Sequence, residues 1–142
     1  MNLKFLQRPT KKTKSTATRE LKALSILSFW CSSHRNCFKG TIGKGESEEH
    51  LDAKYGRWKY WRKHGHDVYV ELRLKNGLRP DLTIVMSNGE IIHEEIIVSE
   101  KIESIIRKIN KYPFTVRRYK VEIDDRNPHN RPLNIKTGKV QN

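Results

Sequence analysis

The sequence of 142 residues contains no long apolar run. A membrane-spanning helix needs roughly 20 consecutive apolar residues, and the longest candidate, residues 21–30, is interrupted by Lys22, Ser25 and Ser28. The first residues are positively charged, but they lack the apolar segment and the small-residue cleavage site of a signal peptide. We therefore expect an intracellular, cytoplasmic protein that has no membrane partner.

Cysteine is scarce, because the chain has two, Cys31 and Cys37. Two cysteines cannot build a disulfide framework. With His34 they form the pattern C-x2-H-x2-C, which offers three soft ligands, whereas a structural zinc site needs four. No nearby residue is an obvious fourth ligand. We therefore interpret the thiols as buried side chains and not as a zinc site.

Acidic residues are also few, since 16 of them face 29 lysines and arginines and the net charge is +13. Such an excess on a short chain favours a polyanionic partner, and nucleic acid is the first candidate. Much of the basic charge lies near the ends. We predict a flexible basic arm over residues 1–18, which includes Lys11, Lys12 and Lys14, and a flexible basic tail over 125–142.

The remaining residues, 19–124, are expected to form a single domain. Ser47 is placed to cap a helix that ends near Gly65. The apolar residues that recur at helical spacing in this segment are Leu51, Tyr55, Trp58 and Trp61. We interpret these aromatic side chains as core residues and not as surfaces for base stacking.

Alternating apolar residues predict three strands after that helix, over residues 66–73, 81–86 and 91–98, joined by turns that contain Asn-Gly. A second helix follows and must end before Pro113. Residues 114–123 then form the last strand. The predicted fold is α/β, with the order α-β-β-β-α-β and a mixed central sheet flanked by helices.

Carboxylates lie on both strands of the second predicted hairpin. Asp81 begins one strand, and Glu94 and Glu95 lie within the other. A two-residue loop would place Glu94 on the face of Asp81, whereas a three-residue loop would place Glu95 directly opposite Asp81. Paired carboxylates are the ligands that Mg²⁺ or Mn²⁺ prefers in phosphoryl chemistry. The residues alone leave the choice between the two glutamates open.

The order of these elements and motifs resembles the PD-(D/E)xK nuclease superfamily, and most closely its CoiA-like competence branch. The matching residues are Glu46 to His50, Lys54, Glu71, Arg79-Pro80-Asp81 and Glu95 to Ser99. The resemblance covers about residues 29–123. It implies a restriction-endonuclease-like core and metal-dependent cleavage of nucleic-acid phosphodiesters. It also implies that Asp81 and Glu95 form the metal-binding pair.

One position departs from the superfamily pattern, because Ile97 stands where the catalytic lysine is usual. Ile97 cannot orient a water molecule, but some members of the superfamily tolerate another residue there or a relocated lysine, for which Lys54 and Lys101 are the candidates. Glu46 and His50 lie along the same edge of the first helix. We assign one of them to an outer metal contact or to positioning water, and Lys54 to contact with phosphate.

The resulting hypothesis is a nuclease that uses Mg²⁺ or Mn²⁺ and acts on DNA, with RNA left open because backbone contacts distinguish the two sugars weakly. The side chains expected to bind the nucleic-acid phosphate backbone are Arg79, Arg117, Arg118, Lys11, Lys12 and Lys14. Two alternatives remain. One is an inactive nucleic-acid-binding protein on a nuclease fold, which Ile97 favours. The other is a Holliday-junction-type resolvase, which would act as a homodimer.

Overall fold

The computed structural model describes residues 13–26, 34–38, 45–98 and 102–121. These residues form an α/β fold with three helices and a four-stranded mixed sheet. The helices are α1 (Lys14–Ala23), α2 (Glu48–Lys63) and α3 (Ile102–Ile109), and the strands are β1 (Asp67–Val70), β2 (Leu82–Val85), β3 (Ile91–Ile97) and β4 (Thr115–Lys120). The predicted order α-β-β-β-α-β is confirmed from α2 onward.

The strands lie side by side in chain order. β1 pairs antiparallel with β2, β2 pairs antiparallel with β3, and β3 pairs parallel with β4. The parallel pair needs a crossover connection, which contains α3. The mixed sheet is therefore confirmed, with β1 and β4 at its two edges.

Helix α1 corrects the prediction that residues 1–18 form a flexible arm, because residues 14–18 belong to a helix that packs on the sheet. Thr13 caps it by accepting a hydrogen bond from the Thr16 N–H (3.1 Å). Ala17 and Leu21, one turn apart, are fully buried against a core cluster that includes Tyr69 of β1. The burial of Ala17 and Leu21 and the ion pair of Lys14 with Asp67 hold this segment on the domain. The rest of the predicted arm, residues 1–12, and the predicted tail, residues 125–142, lie outside the described residues.

Helix α2 begins as predicted, because the Ser47 hydroxyl accepts a hydrogen bond from the His50 N–H (3.1 Å). Its buried face differs from the predicted apolar stripe. The buried residues are Ala53, Lys54, Arg57 and Trp61, whereas Tyr55 is 43% exposed. The interpretation of Tyr55 as a core residue was therefore wrong. The helix packs on the sheet with a different face from the predicted one, because Lys54 and Arg57 pair with carboxylates in the interior.

The zinc hypothesis falls partly on undescribed residues, since Cys31 lies outside the described part. Cys37 is a free and exposed thiol, so its predicted burial was wrong. Asn36 donates its N–H to the carbonyl oxygen of Val68 (2.8 Å) at the edge of β1, and Phe38 packs on the core. Cys37 lies between these two anchored residues and points outward.

Across residues 13–26, 34–38, 45–98 and 102–121, we find no helix with the length and apolar character that a membrane crossing requires.

Candidate functional site

The loop between β2 and β3 decides which glutamate lies beside Asp81. Met86 donates its N–H to the carbonyl oxygen of Glu90 (2.8 Å), and Gly89 donates to that of Met86 (2.9 Å). Gly89 has φ +88°, the left-handed conformation that closes a three-residue hairpin loop. Leu82 pairs with Glu94 in the register that follows. Glu95 therefore lies opposite Asp81, and the three-residue loop is confirmed.

Glu94 points to the other face of the sheet, where α2 covers it. Arg57 donates two hydrogen bonds to its carboxylate, at 2.7 and 2.9 Å, and the indole N–H of Trp61 lies 3.3 Å away. Arg57 and Glu94 are both fully buried. Because the pair satisfies the charge and most of the hydrogen-bonding capacity of Glu94, this residue holds α2 on the sheet and is not available as a metal ligand.

Asp81 and Glu95 meet at the carboxyl-terminal half of β3, where each carboxyl group shifts the pKa of the other. Burial and then the negative charge of Asp81 raise the pKa of Glu95 to about 8, although Tyr112 donates a hydrogen bond to the same carboxylate. Burial opposes ionisation of Asp81, but His50 and the Ile96 N–H (2.8 Å) hold its pKa below the usual range. The two carboxyl groups therefore differ in acidity, because Asp81 loses its proton more readily than an ordinary carboxyl group and Glu95 less readily.

His50 links this pair to the start of α2. Its Nε2 lies 3.3 Å from Asp81 Oδ2, and its Nδ1 lies 2.6 Å from Glu46 Oε1. Burial alone would lower the pKa of His50, but the hydrogen bonds and charges of Asp81 and Glu46 outweigh it and raise the pKa to about 9. His50 is therefore a cation at neutral pH, fixed between two carboxylates that it orients.

Lys54 lies one turn after His50 and is fully buried. Its Nζ is 2.6 Å from Glu46 Oε1 and 3.9 Å from Glu71 Oε1. Glu71 has φ +52°, a strained conformation for a residue other than glycine, and its N–H donates to the carbonyl oxygen of Asp81 (3.0 Å). Lys54 thus forms ion pairs with two carboxylates, and its contact with phosphate stays a prediction.

The remaining predicted residues are distributed around this cluster. Arg118 is the register partner of Glu95, so its exposed side chain lies on the same face of the sheet at the open edge of β4. Arg117 lies over the Trp61 ring, 5.7 Å from its centroid, on the opposite face. Arg79 is exposed two residues before Asp81. The predicted residues outside the described part are Lys11, Lys12 and Lys101.

The ligand atoms at this site are carboxylate oxygens, the type that hard divalent cations prefer. Asp81 and Glu95 supply carboxylate oxygens that lie opposite each other across the hairpin. Within the described ranges, no group of three or more His, Cys, Asp or Glu side chains is arranged to hold a metal ion. Mg²⁺ keeps several waters and commonly uses one or two carboxylates together with substrate phosphates, so a two-carboxylate site fits it.

Two contributors were missed by the sequence analysis. Tyr112, which lies in the turn after α3, donates a hydrogen bond from its hydroxyl group to Glu95, and Glu71 shares Lys54 with Glu46. The position of Tyr112 directly before Pro113 indicates only the end of a helix. Glu71 was noticed as part of the motif series but was given no partner. No spacing pattern in the sequence predicts either contact.

Compared with known proteins, the chain matches no family model, no curated protein and no solved structure. The nuclease resemblance therefore depends on the order of the motif residues in the sequence.

Proposed function

We propose that the protein is a metal-dependent nuclease with a restriction-endonuclease-like core, and that Asp81 and Glu95 bind its Mg²⁺ or Mn²⁺. The observation that carries the proposal is the position of these two carboxylates opposite each other across the β2–β3 hairpin, with Glu95 buried and the Asp81 side chain 15% exposed. Buried acids that raise and lower each other's pKa are typical of functional sites. Next to them, Glu71 is held in a strained conformation, and such strain also clusters at active sites.

Different side chains would bind the cation, position its ligands and bind the phosphate backbone. Asp81 and Glu95 would hold the cation, which would supply an activated water and neutralise charge on the scissile phosphate. His50 and Tyr112 keep the two carboxylates in place from opposite sides. Arg118 and Arg79, both exposed beside the acidic pair, bind backbone phosphates without reading bases.

A second candidate function is nucleic-acid binding without cleavage, and a specific observation favours it. Ile97 occupies the usual lysine position, and Lys54 is buried between Glu46 and Glu71. Neither position therefore gives the acidic pair a free ammonium group, and among the described lysines it is the charge of Lys108, on α3, that acts on Glu95 and lowers its pKa. If Lys101 does not supply that group either, the site would bind a cation and turn over slowly.

A plasmid-nicking assay with Mn²⁺, Mg²⁺ or EDTA tests the proposal. We expect Asp81→Asn to lower metal-dependent nicking by at least about a hundredfold, an effect of the size seen when one charge-stabilising group is removed. Asp52→Asn, which removes an exposed acid from α2, should leave nicking unchanged. Metal-free DNA binding by Asp81→Asn should persist. Undiminished nicking by Asp81→Asn would remove the acidic pair from the mechanism.

Thermal unfolding in the same metals separates the two candidates. Mn²⁺ should stabilise the wild type, because a ligand of the native state raises the free energy of unfolding. Glu95→Gln should lose that stabilisation. Stabilisation by Mn²⁺ without any nicking would favour the binding protein, and absence of both would contradict a metal centre at Asp81 and Glu95.

A further inference from the structure

A basic groove lies away from the acidic pair, between α1 and the segment 34–38. It is a cavity of about 500 Å³. Its cationic and hydroxyl-bearing lining residues are Lys14, Arg19, Lys22, Arg35, Ser15 and Thr18. Concave, positively charged surfaces of this kind attract phosphate groups.

Asp67 is the one acid among the described residues that line the groove, and it offsets part of the charge. It pairs with Lys14 (3.2 Å), and Arg62 also approaches it (3.7 Å). Arg19, Lys22 and Arg35 remain exposed around the groove. The groove therefore keeps a net positive charge even when the Lys14 pair is counted as neutral.

An aromatic platform, formed by Phe38, Tyr55 and Trp58, lies on the α2 side of the same sheet edge. The Tyr55 and Trp58 rings are nearly parallel, at 14° with centroids 5.9 Å apart, and Phe38 meets Tyr55 edge-on at 4.9 Å. Tyr55 is 43% exposed. The Lys59 ammonium lies over the Tyr55 ring, 4.7 Å from its centroid, so a base that stacks on that face would displace this exposed side chain.

Segment 34–38 connects the two surfaces. Asn36 is hydrogen bonded to Val68 on the edge strand β1, through its N–H (2.8 Å) and its side-chain oxygen (2.7 Å). Arg35, on one side of this anchor, lines the groove, and Phe38, on the other side, belongs to the platform. The basic groove and the aromatic platform are therefore neighbours across the β1 edge.

We propose that the β1 edge binds a single-stranded segment of nucleic acid, with phosphates in the basic groove and unpaired bases on the aromatic platform. Cationic grooves combined with exposed aromatic rings are the usual means of binding single strands. Bases in a duplex are stacked inside the helix and cannot lie on Tyr55. The proposal shares its nucleic-acid partner with the proposed function but does not depend on cleavage.

Fluorescence anisotropy in EDTA tests the proposal, with a labelled oligonucleotide offered as a single strand and as a duplex. We expect Tyr55→Ser to weaken single-strand binding at least about fivefold, as for loss of one base–aromatic stack, and to leave duplex binding unchanged. Tyr55→Phe should bind like the wild type. Ile106→Ser, which changes another exposed apolar residue (47% exposed), is the matched control and should have no effect.

The salt dependence of binding tests the groove. Arg19→Gln and Arg35→Gln should each weaken single-strand binding and reduce the slope of log affinity against log salt by about 0.7. Lys111→Gln removes an exposed positive charge beyond α3 and should leave that slope unchanged. Circular dichroism of each variant confirms that it is folded.

The binding assays and the nicking assay test the single-strand binding surface and the nuclease function separately. Unchanged single-strand affinity in folded Tyr55→Ser, or equal loss for single strand and duplex, would overturn the platform as a base-stacking surface. Unchanged slopes in both arginine variants would overturn the groove. Because these assays contain no metal, absence of nicking in the plasmid assay would contradict the nuclease while leaving this binding surface intact.

Discussion

At the scale of single residues, His93 is an ionisable group held without charge in the interior. It lies on β3 with no exposed surface. Its Nδ1 is 2.9 Å from the Thr83 hydroxyl oxygen, and its ring is tilted against Tyr112 at 5.1 Å and Phe114 at 5.5 Å. Burial lowers the pKa of His93 to about 4. The imidazole therefore stays neutral behind Tyr112, the residue that holds Glu95.

This shift predicts a pH dependence of stability. The unfolded chain binds a proton at His93 near pH 6.5, and the native state does so only near pH 4, so native stability falls as the pH falls through that window. Relative to His93→Gln, the wild type should lose about 3 kcal/mol of unfolding free energy between pH 7 and pH 4. Urea denaturation in EDTA measures it.

The comparison with His93→Gln is needed because Glu95 has the opposite effect. Its raised pKa, about 8, means that the native state gains a proton there before the unfolded chain does. Both proteins share that contribution, so it cancels in the difference. Parallel pH profiles for the two proteins would show that His93 titrates normally in the native state.

At the scale of secondary structure, the boundaries of α2 and of the hairpins followed from local rules. A serine cap, Asn-Gly turns and alternating β-branched residues depend on neighbours a few positions away, so the sequence predicted these elements well. The face that α2 buries depends instead on Glu94, 37 residues from Arg57. Helical periodicity carries no information about a carboxylate that is distant in the sequence. The burial of Lys54 and Arg57 could therefore not be predicted, and the aromatic residues of α2 indicated a different buried face.

The same distinction separates what could be predicted of the site. The acidic pair was predicted, with two options for the glutamate, because a hairpin places residues opposite each other by simple counting. The conformation of Gly89 then decided the register in favour of Glu95. The Lys54 pairs with Glu46 and Glu71, and the Tyr112 contact, join separate elements. They could be seen only after those elements had been assembled.

Helix α1 gives the clearest element-scale prediction. If α1 is part of the folded domain, Leu21→Ala should lower the free energy of unfolding by about 2–5 kcal/mol, since Leu21 is fully buried. Leu24→Ala, one turn later and 37% exposed, should cost much less. Urea denaturation of both variants measures the difference. Equal and small effects would mean that residues 14–23 behave in solution as the detached arm that their composition suggests.

At the scale of the whole molecule, charge is distributed unevenly between the interior and the surface. The interior pairs its charges closely, as in Arg57 with Glu94 and Lys54 with Glu46. Among the described residues, exposed lysines and arginines outnumber exposed acids, and part of this excess surrounds the basic groove. Salt screens exposed charges strongly and buried pairs weakly, so the two populations respond differently to ionic strength.

This difference predicts that salt stabilises the protein. Raising NaCl screens the repulsion among surface cations while leaving the buried pairs almost unchanged, so the free energy of unfolding should increase by about 1 kcal/mol, comparable to a few exposed ion-pair interactions. Urea denaturation at low and high NaCl measures the increase. Arg19→Gln/Lys22→Gln, which removes two cations beside the groove, should be more stable than the wild type at low salt and gain less from added salt. A stability that falls with salt would instead show that exposed attractive pairs outweigh the excess positive charge.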